Sequence, residues 1–294
     1  MKRWMMAFLL VMLMLVGCTG GEDTARHTNF KQGTGELQLR FLDNAPPEKI
    51  YPESAFKLVV EARNLAAYDI PQGNVWITGA LDKYFLIQPQ EQDLVAGVAG
   101  AGVLQGRSIT NPEGDVTLLE FSGRSGQLFQ NAEQEMGTFF LKAGYHSTVE
   151  FTETVCLNPH LYAVYDAGCT VEVQQSYGGQ GAPVAVTDLE QIMTPAPGAK
   201  VEFRATVANQ GSGELKKLEL QQARLGGEPI LCVFQGTGDK GKSVDFTQRP
   251  EQGEEVVLIC QQDLPDGASY STPLFLQFAY DYETKQEHTL RLVR

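Results

Sequence analysis

Four histidines and five cysteines are the residues whose chemistry depends most on their neighbours. His27 lies in a polar stretch and His288 close to the C-terminus. His146 stands in Gly144-Tyr145-His146-Ser147, which reads as a turn, and His160 follows Asn158-Pro159 between Cys156 and Cys169. A catalytic base needs a nucleophile and an orienting group within reach, and the sequence supplies no pattern that places them. The nucleophile elbow GxSxG is absent, and Gly123-Arg124-Ser125-Gly126 is one residue short of it. Gly100-Ala101-Gly102-Val103-Leu104-Gln105-Gly106 lacks the Lys-Ser/Thr ending and the following helix of a phosphate loop. A carboxylate pair roughly 5–9 Å apart could serve glycoside hydrolysis. With 36 acidic residues such pairs arise by chance, and Asp263 and Asp266 read as a turn. No calcium ladder and no Asn-X-Ser/Thr acceptor occurs. These residues predict no enzyme, no cofactor and no bound metal.

The cysteines divide into one and four. Cys18 closes Leu15-Val16-Gly17-Cys18, behind a basic start at Lys2-Arg3 and the apolar run from Trp4 to Val16. That run is too short to cross a bilayer, which takes about 20 residues, but it has the layout of a secretory signal. The closing tetrapeptide resembles a lipobox, which implies diacylglyceryl transfer to the Cys18 thiol. Two acyl chains, at about 0.8 kcal/mol per buried CH₂, anchor stably where one is marginal. The expectation is an exported protein on the outer face of a membrane, held to it through lipidated Cys18. An oxidising compartment favours disulfides. Cys156, Cys169, Cys232 and Cys260 allow three connectivities, of which proximity favours 156–169 and 232–260. Neither pair has the CxxC spacing of a metal site.

The net charge of −13 becomes more negative once Lys2 and Arg3 leave with the signal. That balance disfavours nucleic acid and anionic lipid, both of which ask for cations against phosphate. It suits a soluble exposed surface.

Residues 18–35 are Gly-, Thr- and charge-rich and read as a flexible tether. From Glu36 onward short segments alternate apolar and polar residues with a period of two, the mark of half-buried strands. Leu37, Leu39 and Phe41 form one such segment, and Phe56, Leu58, Val60 and Ala62 another. Further strands are predicted at 74–78, 84–87, 116–121, 137–141, 147–155 and 169–174. Residues 176–183, Ser-Tyr-Gly-Gly-Gln-Gly-Ala-Pro, read as a linker. Beyond it strands are predicted at 184–191, 200–208, 214–225, 229–234, 244–247, 254–261, 273–280 and 288–293. The Gly/Ala-rich segment 93–114 reads as a long loop or a bulged strand, with inter-strand packing favoured over partner binding. Trp76 and the aromatic set Phe275, Phe278, Tyr280 and Tyr282 read as sheet residues.

The chain also repeats itself. A shift of 145 positions carries residues 39–64 onto 184–209 without a gap: Phe56, Leu58, Val60, Ala62 and Asn64 meet Val201, Phe203, Ala205, Val207 and Asn209. With no long helical period anywhere, this predicts an all-β chain of two tandem antiparallel β-sandwiches. The expected boundaries are a signal at 1–17, the lipidated Cys and tether at 18–35, a first sandwich at 36–175, the linker at 176–183 and a second sandwich at 184–294.

Pro197-Gly198-Ala199-Lys200-Val201-Glu202-Phe203-Arg204-Ala205-Thr206-Val207-Ala208-Asn209-Gln210-Gly211 resembles the strand–Asn–Gly signature of CARDB-type and related immunoglobulin-like surface domains. The stretch Gly179–Thr187, after the Cys156/Cys169 pair, is similar to surface lipoproteins of archaeal type with tandem sandwiches. The resemblance extends over most of 36–294 and implies an immunoglobulin-like fold and an exported location, and it transfers no catalytic residue. The function expected is a non-enzymatic surface module making protein–protein or envelope-assembly contacts with a partner the sequence does not identify. His160, Tyr162 and Tyr165 in the disulfide-bounded loop are the candidate contact residues, being large and amphipathic. The alternatives are a substrate-binding lipoprotein of a transport system, which would bring two α/β lobes, and a surface hydrolase.

Overall fold

The structure, a computed structural model, describes residues 29–79, 84–98, 102–129, 131–162, 168–237, 241–248 and 253–294. Cys18 and Tyr165 lie outside the described residues. In the first half the strands are β1 (Leu37–Phe41), β2 (Ala55–Asn64), β3 (Gln72–Gly79), β4 (Phe85–Gln88), β5 (Glu91–Asp93), β6 (Val116–Ser125), β7 (Gln134–Leu157) and β8 (Gln174–Ser176). The second half has β9 (Val184–Thr194), β10 (Lys200–Asn209), β11 (Glu214–Leu225), β12 (Glu228–Pro229), β13 (Leu231–Phe234), β14 (Ser243–Asp245), β15 (Glu255–Asp263) and β16 (Tyr270–Val293). One turn of 3₁₀-helix at Phe246–Gln248 is the only helix among the described residues. The chain is all-β, as its period of two predicts, and its ladders are antiparallel.

Two small sheets have matching orders. The first runs β1-β2-β6-β4, and the second runs β9-β10-β15-β13 with β8 added outside β9. β2 and β10, the pair aligned by the repeat, occupy equivalent places. Each ends in an asparagine that builds the same turn. Asn64 Nδ2 donates to the carbonyl of Tyr68 at 2.9 Å, and its Oδ1 accepts from the Ala66 N–H at 3.0 Å. Asn209 Nδ2 donates to the carbonyl of Gly213 at 2.8 Å, and its Oδ1 accepts from the Gly211 N–H at 3.0 Å. An amide side chain can satisfy its own backbone two and four residues ahead in this way. Along the neighbouring strand the gapless alignment slips, because Leu37 stands opposite Asn64 whereas Val184 stands opposite Asn209. The slip is two residues as far as Val207↔Val186, which leaves the inward face unchanged there, and a bulge between Thr206 and Val207 adds one more beyond it.

The remaining strands form one sheet that belongs to both halves, in the order β12-β11-β16-β7-β3-β5, with β14 also on β11. Its centre is the pairing of β7 with β16, unbroken from Gln134↔Val293 to Leu157↔Tyr270. Sequence reading broke β7 at Gly144-Tyr145-His146-Ser147 and β16 at residues 281–287. Both strands in fact run through. The odd-numbered residues of β7 are buried without interruption from Gly137 to Phe151. Gly144 and His146 point to the other face, and the inward Ser147 hydroxyl donates to the Asp69 carbonyl at 2.8 Å. In β16 the apolar code lapses at Thr284 and Gln286, which keep their places by backbone pairing to Ala143 and Leu141.

Each half completes the other's core. The N-terminal part of β7 covers the first small sheet, where the Phe41 and Phe139 rings meet at 5.7 Å. The C-terminal part of β16 lies on that same first half: His288 stacks on Phe41 at 4.7 Å, and Ile50 exchanges hydrogen bonds with Arg291 and Val293. In the second half Phe278 of β16 packs on Phe234, while Phe151 of β7 packs on Tyr177. Gln191 Nε2 donates to the Cys156 carbonyl at 2.7 Å. Phe139, Phe278, Tyr280, Tyr282, Leu290 and Leu292 are all almost fully buried. Each such side chain contributes roughly 1.5–3 kcal/mol, so neither small sheet keeps its core without both long strands.

Residues 176–183 are woven into this body. Gln180 and Ala182 are buried, the Gly181 N–H donates to the Gly33 carbonyl at 2.7 Å, and the Ala67 N–H donates to the Gly181 carbonyl at 2.7 Å. Gly181 has φ +78, and a Cβ there would stand 2.2 Å from the Phe30 carbonyl oxygen, so only glycine fits. Of the expected tether, residues 29–35 therefore lie against the body. The Gly/Ala-rich segment 93–114 is pinned near its start by Leu94 and at its middle by Leu104, both fully buried, with Leu104 exchanging two hydrogen bonds with Ile70.

Three outcomes are expected. Asn64, fully buried and bonded also to the Leu104 carbonyl at 3.0 Å, should cost about 3 kcal/mol on replacement by Ala, and Asn209→Ala about 1–2 kcal/mol, in urea unfolding; a cost at Asn64 no larger than at Asn209 would contradict this account. Limited proteolysis should leave 176–183 uncut, and two stable fragments parted there would mean that the halves hold separately. Burial holds His288 below its ordinary value of 6.5. The unfolded chain then binds a proton more readily, so stability is full above about pH 6.5 and is lost as pH falls toward the folded value. His288→Leu should flatten the fall in melting temperature between pH 7.5 and pH 5, and an unchanged slope would assign that fall to other groups.

Candidate contact surface

The far end of the second half gathers the residues selected from sequence. β7 ends at Leu157, and the loop that follows is closed by the disulfide Cys156–Cys169. The second disulfide joins Cys232 to Cys260, directly opposed residues of β13 and β15. Both pairings are those that proximity favoured. Within the loop Asn158 is buried, and its Oδ1 accepts from the His160 N–H at 3.0 Å. His160 Nε2 faces Asp266 Oδ1 at 2.9 Å. The Pro159 carbonyl accepts from the Ala196 N–H at 2.8 Å, which ties the loop to the turn between β9 and β10. Tyr162 is 81% exposed, held out by a loop anchored at three points. Tyr270, opposite Leu157 at the start of β16, adds a second exposed phenol at the same end. The structure thus places His160 and Tyr162 at the same end, on the segment that leaves β7.

Sequence reading missed two members of this tip. Asp266 read only as a turn residue, and Tyr270 was not singled out. Neither carries a local signal, since both reach the loop through the pairing of β16 with β7. An exposed aromatic on a loop carried by a scaffold is a common form of binding residue.

The other candidates for chemistry resolve as follows. His146 Nδ1 lies 2.7 Å from Asp281 Oδ1, a base with an orienting carboxylate. No nucleophile hydrogen-bonds to His146 among the described residues, so the pair lacks the third member that acyl or phosphoryl transfer would require. Among the described residues no group of His, Cys, Asp and Glu is placed to hold a metal ion. Burial pushes the Tyr145, Tyr280 and Tyr282 phenols up from their ordinary value of 10.0, so all three are neutral at the centre of the shared sheet. Phe278, Tyr280 and Tyr282 are core residues, as their alternation suggested.

No family model matches the chain, and no curated relative matches it by sequence. Solved structures show distant likeness. The Escherichia coli chaperone DraB is similar at 8% identity over 81% of this chain and 90% of its own, with a TM-score of 0.21. The Salmonella enterica SafA pilin in complex with the SafB chaperone is similar at 13% identity over 90% of this chain and 100% of its own, with a TM-score of 0.22. The CupB6 tip adhesin from Pseudomonas aeruginosa is similar at 8% identity over 89% and 97%, with a TM-score of 0.17. Likeness at these scores does not define a shared fold, and the all-β assignment rests on the chain's own ladders.

Proposed function

We propose that this chain is a non-enzymatic, exported protein held to the outer face of a membrane by acylated Cys18, whose β-sandwich body makes protein–protein or envelope-assembly contacts through the disulfide-closed tip. The observation that carries the proposal is the tip itself: Tyr162 stands 81% exposed on a loop fixed by Cys156–Cys169, Asn158 and the His160–Asp266 pair. A large apolar-bodied side chain exposed to water gains contact area on binding, and tyrosine has few torsions to immobilise. Tyr165 shares the same sequence loop and is assigned to the same contact. Two disulfides agree with an oxidising compartment. The immunoglobulin-like, CARDB-type character suggested by the repeat belongs to this proposal, as does the archaeal-type surface lipoprotein resemblance. The stretch from Cys18 to Asn29 reaches at most about 40 Å fully extended, which would keep the body close to the membrane.

The transporter alternative would bring α/β lobes, and the described residues hold no α-helix. The hydrolase alternative would need a nucleophile or a dedicated acid pair, and among the described residues no nucleophile hydrogen-bonds to the His146–Asp281 pair. Cys18→Ser should move the protein from the membrane fraction to the medium or an unprocessed pool; unchanged fractionation would remove the anchor from the proposal. A photo-crosslinking residue at position 162 in intact cells should give a discrete adduct that Asp266→Ala weakens severalfold. An adduct indifferent to Asp266, or none at all, would move the contact away from the tip.

A further inference from the structure

The face of the shared sheet turned away from both cores carries a hollow of about 450 Å³ over Gly144. Along β7 the outward positions Phe140, Lys142, His146 and Thr148 all bear side chains, and Gly144 alone bears none. The space is completed by Trp76 on the adjacent strand β3, whose ring leans over the glycine. A Cβ at position 144 would stand 2.9 Å from Trp76 Cη2. Asn74, His146, Lys216, Asp281 and Glu283 form the rest of the wall. Trp76 is a partly exposed indole on the solvent side of a sheet whose opposite side already holds the core. Its position is not needed to close that core.

The carboxylates of the wall each have a nitrogen partner. Asp281 faces His146 at 2.7 Å, and Glu283 faces Lys142 at 2.9 Å and Lys216 at 3.8 Å. Among the described residues no group of His, Cys, Asp and Glu is placed to hold a metal ion. What remains is a flat aromatic plate beside carboxylate, amide and imidazole groups held in fixed positions and open to water. The hollow is shallow and open, so it would cover one face of a small ligand, with fixed polar groups beside an apolar plate to orient it. The complementary ligand has an apolar ring face, no net charge and several hydroxyls around its rim. Hydroxyl-to-carboxylate hydrogen bonds are charge-assisted and stronger than neutral ones, and a wet rim tolerates bridging water.

We propose that this hollow is a carbohydrate subsite, with one neutral sugar ring stacked on the Trp76 indole and its hydroxyls on Asp281, Glu283 and Asn74. The assignment deepens the envelope-contact reading by naming a partner chemistry, and it rests on that reading only for where the sugar is met.

The test uses the protein purified in detergent, in which Trp76 is the sole indole once Trp4 leaves with the signal; Trp4→Phe makes the same true of any unprocessed chain. Maltotriose, mannotriose and chitotriose are titrated to about 10 mM, which reaches the millimolar affinities expected of a shallow site. At least one should shift Trp76 emission saturably. Gly144→Ala, whose methyl would stand 2.9 Å from Trp76 Cη2 and tilt the indole, and Asp281→Asn should each weaken that response about tenfold or more with the circular dichroism spectrum unchanged. Tyr162→Ala should leave it alone. A flat titration with all three sugars overturns the proposal, as does a response that survives both substitutions. A stronger response to a trimer of glucuronate than to any neutral sugar overturns the assignment to an uncharged ring. Release of Cys18→Ser from the membrane is read separately, so failure of the anchor and failure of the sugar site are told apart.

Discussion

The backbone ladder between β7 and β16 is the interaction on which the rest of the molecule depends. It runs the whole length of both strands, from Gln134↔Val293 to Leu157↔Tyr270. In an antiparallel pair every residue is either hydrogen-bonded to its partner or brought side chain to side chain with it. The ladder thereby carries the inward register of one small sheet straight into that of the other. Tyr145 and Tyr282 meet across its middle with ring centroids 5.8 Å apart. The Tyr282 hydroxyl then reaches the second Asn turn, donating to Asn209 Oδ1 at 3.0 Å and accepting from the Gly213 N–H at 2.8 Å. Core, turn and seam are thus fixed by one pairing. The tip rests on it as well, because the loop begins where β7 ends and Asp266 precedes β16.

The seam is reinforced from outside by segments that composition marks as spacers. Glu36 accepts from the Ser212 N–H at 3.1 Å through its carboxylate and from the Leu65 N–H at 3.1 Å through its carbonyl, so one residue touches both Asn turns. The Pro183 carbonyl accepts from the Gln210 and Gly211 N–H groups. Glycine-rich sequence here records close approach of backbones rather than freedom of movement, as Gly181 shows.

Much of this architecture was legible in the sequence. β2, β10 and β11 follow from alternation, the repeat follows from the shared Asn, and the disulfide partners follow from separation along the chain. The long strands did not, because their continuity is decided between residues more than a hundred positions apart. At Gly144 and again at Thr284 and Gln286 the local pattern signals a break, and the partner strand overrides it. Tertiary context outweighing local preference in this way is general for strands. The hollow was hidden for the same reason. Trp76 reads as an ordinary sheet residue and Gly144 as a turn former, and only the register of β3 on β7 sets a large ring beside a missing side chain. His160 and Tyr162 were legible as loop residues, whereas their brace Asp266 was not.

The two long strands hold equivalent places in the two halves, and they pair antiparallel. Being parts of one polypeptide, the two strands stay at a fixed high effective concentration, so their pairing needs no encounter between separate chains. Covalent continuity also leaves the two strands free to differ in sequence. The outward face of the seam uses that freedom: β7 places Gly144 where β16 places Glu283, and the missing side chain on one strand faces a carboxylate on the other.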